Sequence, residues 1–392
     1  MNLRRLVRHI APLDLLITTF LDPRIPVSHP SSAKPQCVGI PSAPHLTSQL
    51  PSGKRKPESK ATQPADRFVP WCTMGRPSGL PTRWALSWRI LITDGLEEDG
   101  LTILRRRADV VEQDDLTGLE HFDALVVRGR TRVTSGVLSS AAPKLKVVGR
   151  AGVGVDNIDL EAAGRIGVIV VNAPLASTTS VAEHALALML SLARRIPDAD
   201  RSLRRGEWRK AEFEGVELSG RTLGIIGVGR IGSALASRAR ALGMHCIGFD
   251  PHLTPEEFRR RGVDPTGFAE LLGLSDFISL HVPLTPETQG MIGPREFEMI
   301  RPGARLICTA RGGLVDEACL LSALESGRLA GAALDVFAHE PPGPTSLVSH
   351  ANLVGTPHIG AQTIDAQRRA AHDIAEELLA ALSGQPLRWR VA

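Results

Sequence analysis

No apolar run in this chain reaches the roughly 18 residues that a membrane-spanning helix needs, so no membrane partner is expected. Tyrosine is absent altogether, in a composition otherwise typical of a globular protein. Cysteine is sparse and scattered: Cys37, Cys72, Cys246, Cys308 and Cys319 show no paired metal-ligand spacing. No metal site is therefore expected, and the odd, dispersed placement suggests free thiols in a reducing compartment. Basic charge is thin where a nucleic-acid footprint would need it. Residues 1–87 hold 12 Lys/Arg against 4 Asp/Glu, which leaves 34 against 38 for residues 88–392. The globular part is thus slightly acidic, and no nucleic-acid partner is expected.

At 392 residues the chain can hold two domains and a large core. Residues 1–87 read as a separate, disordered extension. They contain 13 prolines, clusters such as HPSSAKPQ and PSGKRKPESK, and no sustained periodicity. Such a stretch buries too little apolar surface to offset its ordering entropy. MNLRRLVRHIAPLDLLITTF weakly resembles an organellar transit peptide; as a secretory signal it is poor, because Pro12 and Asp14 interrupt the apolar core. The favoured reading is an over-extended reading frame with Met74 as the start. Arginine outnumbers lysine 39 to 7, the bias of GC-rich coding, where long spurious upstream frames are common. Cytoplasmic localisation is expected, with an organelle as the alternative if the extension is a transit segment.

From Trp88 the pattern changes. RILITD (89–94), ALVVRG (124–129), KVVGRAG (146–152) and GVIVVNAP (167–174) are short β-rich runs separated by helical stretches. The alternation predicts βαβ units and a parallel sheet. SVAEHALALMLSLARRI (180–196) is apolar over a broad helical face and suits a buried or interface helix. A second alternating block follows: TLGIIGVG (222–229), HCIGFD (245–250), FISLHVP (277–283), ARLICTA (304–310), GAALDVF (331–337) and NLVGTPH (352–358). TIDAQRRAAHDIAEELLAAL (363–382) closes the chain as an amphipathic helix. The fold class expected is α/β, with two doubly wound parallel-sheet domains and no internal repeat.

LGIIGVGRIG places G-x-G-x-x-G at Gly227, Gly229 and Gly232, between a buried strand and an amphipathic helix. The first glycine allows the tight turn, the second lets a pyrophosphate approach the backbone, and the third lets helix and strand pack closely. The helix N-terminus supplies free N–H groups and partial positive charge. Eighteen residues past Gly232 the next strand ends in FDP, which places Asp250 where a carboxylate can bind both ribose hydroxyls. Its charge would repel a 2′-phosphate, and Pro251 rather than an arginine follows, so NAD is expected over NADP.

Downstream, Arg311 follows LICTA, Glu340 lies just beyond ALDVFAH, and His358 follows NLVGTP. In an open parallel sheet, ligands bind outside the carboxyl ends of the strands, where these residues fall. Oxidising an alcohol with NAD needs a base for the hydroxyl proton, a role suited to histidine. A carboxylate would orient that histidine, and an arginine could hold a substrate carboxylate or carbonyl oxygen. On spacing alone, strand-end salt bridges explain the three residues equally well.

The chain resembles the D-isomer-specific 2-hydroxyacid dehydrogenases, most of all the D-3-phosphoglycerate dehydrogenase branch. The resemblance spans nearly all of 88–390. It rests on VVGRAGVGVDNIDLEAA (147–163), VAEHALALML (181–190), LGIIGVGRIG (223–232), TARGGLVDE (309–317), AALDVFAHEPP (332–342) and TPHIGA (356–361), in that order. It implies a catalytic trio: His358 as acid/base, Glu340 as its partner and Arg311 as substrate anchor. It further implies cofactor contacts from Arg230 and Ile231 at the pyrophosphate, Asp250 at the ribose, and Thr309 and Asp335 near the nicotinamide, with Val282, Ala310, Gly360 and Ala361 also on the cofactor. Backbone N–H groups at Val153 and Gly154 would receive the substrate carboxylate, and Arg128 and Arg150 could meet a phosphate.

The implied domain order is discontinuous. Residues 88–177 and 363–392 would form a flavodoxin-like substrate-binding domain, and 178–362 an inserted Rossmann NAD-binding domain. The helix near 180–200 would pair two subunits into a homodimer. With the chain ending at residue 392, the short form without C-terminal regulatory domains is expected, and no serine feedback through them.

Four places depart from the branch, one of them the basic run after Trp208, which is thinner here at RKAEF. VRSxT reads VRGRT here, which changes Gly129 and Arg130. A loop asparagine is replaced by Ser177, and GAST reads GAQT, with Gln362. The function expected is NAD-dependent oxidation of a D-2-hydroxy acid to the 2-oxo acid, or the reverse, with 3-phosphoglycerate to 3-phosphohydroxypyruvate in serine biosynthesis first. The alternatives are a glyoxylate or hydroxypyruvate reductase and, of another class, an NAD(H)-sensing corepressor-like binding protein.

Overall fold

Residues 88–392, which the computed structural model describes, build two parallel sheets in succession. The first half contains β1 (Trp88–Ile92), α1 (Glu98–Arg105), β2 (Ala108–Glu112), β3 (Ala124–Val127), α2 (Ser135–Ala141), β4 (Val147–Arg150), α3 (Leu160–Ile166) and β5 (Ile169–Asn172). Its five strands lie in the order β2-β1-β3-β4-β5, every pair parallel. Two helices follow, α4 (Thr178–Arg194) and α5 (Ile196–Arg204). The second half then runs β6 (Thr222–Ile226), α6 (Arg230–Ala241), β7 (His245–Phe249), α7 (Pro255–Arg260), β8 (Asp264–Pro265), α8 (Phe268–Leu274) and β9 (Phe277–Leu280). It continues with α9 (Pro294–Met299), β10 (Ala304–Cys308), α10 (Glu317–Glu325), β11 (Leu329–Leu334) and β12 (Leu353–Gly355). Its seven strands take the order β12-β11-β10-β9-β6-β7-β8, again all parallel.

The strands are apolar because helices cover both faces of a parallel sheet. β3 (ALVV) and β9 (FISL) are buried at every position. In each sheet the order reverses beside the first strand, between β1 and β3 and between β6 and β9. Such a reversal opens a crevice at the carboxyl ends of the strands.

The last helix, α11 (Ile364–Leu382), returns to the first sheet and packs on α1, β4 and β5. The approach to α1 is close enough that a Cβ on Gly100 would strike the Ala371 carbonyl. Beyond α11, the buried carboxylate of Glu377 takes Arg388 Nε at 2.7 Å and the backbone N–H of Arg388 and Trp389 at 3.0 and 3.1 Å. That clamp delivers Val391, whose N–H donates to Val170 O at 2.7 Å on the edge of β5. The last residues thereby bond to the edge of the five-stranded sheet on which α11 packs, as expected of two doubly wound α/β domains of which one is discontinuous.

The structure refines the sequence reading at two points. Most of the runs read as strands extend past the strand itself, as at 222–229 against β6 and 331–337 against β11. The apolar residues responsible, Val228, Val336 and Phe337, are buried in loops. The helix near 180–200 is two helices, broken at Arg195 in the left-handed conformation at φ 51°. Expectations for residues 1–87, including the Met74 start and Cys37 and Cys72, lie outside the described residues. No described helix is long and apolar enough to cross a membrane.

Candidate active site

The residues singled out by the sequence sit on loops that leave the carboxyl ends of the strands. Gly227 ends β6 at φ 88°, and a Cβ there would press on the His281 carbonyl and on Val282. On Gly232 it would strike the Gly227 carbonyl, so the third glycine lets α6 lie against the turn. On Gly229 a Cβ would meet nothing within 4 Å. Open space at the second glycine is what a backbone awaiting a bulky group requires. Gly229 also caps α6 without a side-chain bond, which leaves N–H groups free at Arg230 and Ile231. At the end of β7, Asp250 is fixed by the N–H of Val228 at 3.1 Å and of His252 at 3.1 Å. Thr309, at the end of β10, has a buried hydroxyl with no partner. The cradle, carboxylate and orphaned hydroxyl together fit a dinucleotide.

His358 and Glu340 are brought together from the ends of β12 and β11. His358 Nδ1 lies 2.8 Å from Glu340 Oε2, while Glu340 Oε1 accepts from the Phe337 N–H at 3.2 Å. The loop that carries Glu340 is tied to α10, because Ala338 N donates to Glu317 Oε1 at 2.7 Å. His358 itself has φ 52°, a left-handed conformation that costs a non-glycine residue about 1–3 kcal/mol unless its surroundings hold it.

Asp335 does the holding. It is 1% exposed and accepts the Ile359 N–H on Oδ1 and the Gly360 N–H on Oδ2, both at 2.8 Å. Thr356 Oγ1 donates to Oδ1 at 2.6 Å, and His184 Nε2 on α4 lies 3.2 Å from it. The Asp335 carbonyl takes the His358 N–H at 2.8 Å. Burial pushes the Asp335 carboxyl up, but bonds from His184, Thr356, Ile359 and Gly360 outweigh it and hold the group below the usual range. Asp335 and Gly360, implied as cofactor contacts, thus have these groups engaged within the protein, with the Gly360 carbonyl taken by Ser180 Oγ at 2.6 Å.

Arg311 crosses toward the first sheet. Its Nε donates to Asp156 Oδ2 at 3.0 Å and its Nη1 to the Ala310 carbonyl at 2.6 Å. A Cβ on Gly154 would collide with its Nη2, so the guanidinium lies against the Val153-Gly154 turn. Asn172 Nδ2 fixes that turn through the Val153 carbonyl at 2.7 Å.

A cleft of about 980 Å³ opens here, lined among others by Arg128, Arg132, Arg150, Glu340, His358 and Gln362. Ala361 also lines it. Arg150 is mostly buried, its Nε has no partner, and burial with Arg311 and Arg128 nearby brings its guanidinium down to about 10. The loop carrying Arg128 is anchored by Asp94, which takes the N–H of Arg128, Arg130 and Thr131 at 2.8, 3.2 and 3.1 Å. Burial raises the Asp94 carboxyl, while these bonds and that from the Thr131 hydroxyl bring it below its ordinary value. Arg128 Nη2 donates to Gln362 Oε1 at 3.0 Å.

The sequence reading missed Asp94, Asp156, His184 and Glu317 as site residues. Asp94 lies just past β1 and Asp156 in the loop after β4, so a strand-end signal existed for these two; Glu317 opens α10 and His184 lies within α4, where no such signal existed.

Residues 186–360 match the family model described as D-isomer specific 2-hydroxyacid dehydrogenase, NAD binding domain. D-3-phosphoglycerate dehydrogenase of Methanocaldococcus jannaschii is 47% identical over 304 residues, covering 76% of this chain and 58% of that protein. The chain therefore spans less than two thirds of the length of this curated relative. Among solved structures, D-lactate dehydrogenase from Aquifex aeolicus, complexed with NAD and lactic acid, is 30% identical with a TM-score of 0.67, covering 75% of this chain and 96% of that one. A glyoxylate reductase from Paecilomyes thermophila is 29% identical with a TM-score of 0.72, covering 78% of this chain and 98% of that one.

Proposed function

Because this chain belongs to the D-isomer specific 2-hydroxyacid dehydrogenase family, we propose that it interconverts a D-2-hydroxy acid and its 2-oxo acid with NAD, with 3-phosphoglycerate as first substrate. The observation that carries the reading is the His358–Glu340 pair at 2.8 Å, set at the strand ends where Arg311 meets the Val153-Gly154 turn. NAD, when bound, supplies the hydride acceptor. Gly227, Gly229, Gly232, Arg230, Ile231 and Asp250 would hold it, with Thr309, Ala310 and Val282 toward its reactive end. Asp250 favours NAD over NADP through charge repulsion.

The chain's own groups then divide the work. Arg311 and the Val153-Gly154 N–H groups bind and orient the substrate carboxylate. His358 gives Nδ1 to Glu340 and keeps Nε2 to take the hydroxyl proton, or to return it to the 2-oxo group in reduction. Glu340 fixes the ring and stabilises its charged form.

The phosphorylated substrate is favoured by charge. Arg130 and Arg311 are ion-paired, to Asp94 and Asp114 and to Asp156. Arg128, Arg132 and Arg150 line the cleft with no carboxylate partner among the described residues. Unpaired guanidiniums in one cleft call for a multiply charged anion. We assign the substrate-binding domain to 88–177 and 363–392 and the NAD-binding domain to 178–362. Leu190, Ile196, Leu203 and Trp208, exposed on and just after α4–α5, form the face of a homodimer, and the cytoplasm is the proposed location.

The test is a panel of D-2-hydroxy and 2-oxo acids with NAD, NADH and their 2′-phosphorylated forms. Turnover of 3-phosphoglycerate with kcat/KM above that of D-glycerate supports the reading; no turnover of any member refutes it. A preference for glyoxylate or hydroxypyruvate would select the reductase reading.

A further inference from the structure

Gln362 stands four residues past His358, yet its partner is Arg128, 234 positions away on the loop after β3, with Arg128 Nη2 3.0 Å from Gln362 Oε1. A guanidinium can only donate, so the Gln362 atom facing it must be the carbonyl oxygen. Gln367 Nε2 donates to the same oxygen at 2.9 Å and to the Ala361 carbonyl at 2.8 Å. The Ala361 carbonyl can only accept, which fixes the Gln367 amide as well. The Gln362 oxygen is therefore held by two donors, Arg128 far away in sequence and Gln367 one turn on. Its amide N–H groups have no partner among the described residues, on a side chain that lines the cleft.

The partner's chemistry matters as much as its geometry. Arg130 and Arg311 are held by carboxylates, which offset their charge. Arg128 is held at its side chain by a neutral oxygen, which fixes the direction of the guanidinium and leaves its charge available.

We infer that Gln362 is a specificity-determining residue for the distal, doubly charged group of the substrate: it aims Arg128 with its carbonyl and offers its own amide N–H to the same phosphate oxygens. The inference rests on the dehydrogenase reading above. It makes Gln362 a reader of the substrate end that does not react, placed on the same turn as the proton-transfer group.

Two variants of the full chain test this, Gln362→Glu and Gln362→Ala. Glutamate keeps the shape, removes the amide donors and neutralises Arg128; alanine removes the aim. The readouts are the ratio of kcat/KM for 3-phosphoglycerate to that for D-glycerate, and the binding of inorganic phosphate by titration calorimetry. Gln362→Glu should lower the ratio about tenfold or more, chiefly through KM, and weaken phosphate binding to a similar extent. Gln362→Ala should lower both about threefold. A ratio and a phosphate affinity that stay put in both variants overturn the assignment, as does a parallel fall on both substrates with phosphate binding intact. If the unaltered chain turns over no 2-hydroxy or 2-oxo acid of the panel but Gln362→Glu still weakens phosphate binding, the dehydrogenase reading fails while the anion-reading role of Gln362 stands.

Discussion

Arg311 Nε donates to Asp156 Oδ2 at 3.0 Å, joining the end of β10 in the second sheet to the loop after β4 in the first. Asp156 is largely exposed, so this ion pair contributes only about 0–1 kcal/mol to folding. Its consequence is orientation: with Nε and Nη1 engaged, Nη2 is left against the Val153-Gly154 turn. Replacing Asp156 by alanine should leave the melting temperature within experimental scatter. The same change should lower kcat/KM for the 2-hydroxy acid about tenfold, because Arg311 loses its aim at the substrate carboxylate. Asparagine, which keeps an acceptor oxygen, should recover part of the loss. Equal activity in the alanine variant would remove Asp156 from the site.

The pair formed by His358 and Glu340 predicts a graded response. Substitution of His358 by glutamine removes the proton acceptor and should lower kcat by about 10²–10⁴-fold. Glu340→Gln keeps a bond to the ring but not the charge that stabilises the protonated form, so a smaller loss of about 10–100-fold is expected. Both side chains are substantially exposed, and neither change should impair NADH binding, measured by fluorescence titration. Full activity in His358→Gln would place the acid/base elsewhere.

The glycine cradle separates binding from stability. A Cβ on Gly229 meets nothing within 4 Å and its φ of −73° suits any residue, so Gly229→Ala should fold normally. It should nonetheless weaken NADH binding by about tenfold or more, since the new methyl occupies the space left for the pyrophosphate. At Gly232 the Cβ would collide with the Gly227 carbonyl, so alanine there should destabilise the protein by about 1–3 kcal/mol. Thermal melts and NADH titrations on the two variants should give opposite profiles, and matching profiles would contradict the division of roles.

Much of this architecture was legible because strand ends announce themselves. LGIIGVGRIG fixed the place of the cradle, and FDP the place of Asp250, since both are local patterns of period and turn chemistry. Placing Arg311, Glu340 and His358 near one another needed only the rule that parallel strands deliver ligands at their carboxyl ends. What escaped was long range. The bond from Arg128 to Gln362 joins positions 234 apart, and no periodicity encodes it. The strands β2 and β8 escaped as well: ADVVE is mostly half-exposed, and Asp264–Pro265 is too short to show a pattern. Asp335 was noticed but its surroundings were not, because its burial depends on four donors from two segments far apart in sequence, His184 on α4 and the turn 356–360.

That burial yields the most specific expectation about pH. The folded Asp335 carboxyl titrates below its ordinary value of 3.8, so the folded state binds its proton less readily than the unfolded chain does. Its contribution to stability is therefore fully present above that value and is lost as pH falls below it. In Asp335→Asn, one amide N–H₂ must face a backbone N–H, at Ile359 or at Gly360, where a carboxylate oxygen accepted before. Leaving a buried donor unsatisfied should cost about 1–3 kcal/mol at neutral pH and release the left-handed turn of His358, lowering kcat more than it raises KM. As pH falls below 3.8 the gap in melting temperature between the two proteins should narrow, because the protonated carboxyl of the unaltered chain meets the same conflict. A gap that stays constant from neutrality to pH 3 would show that the carboxylate charge does not hold the turn.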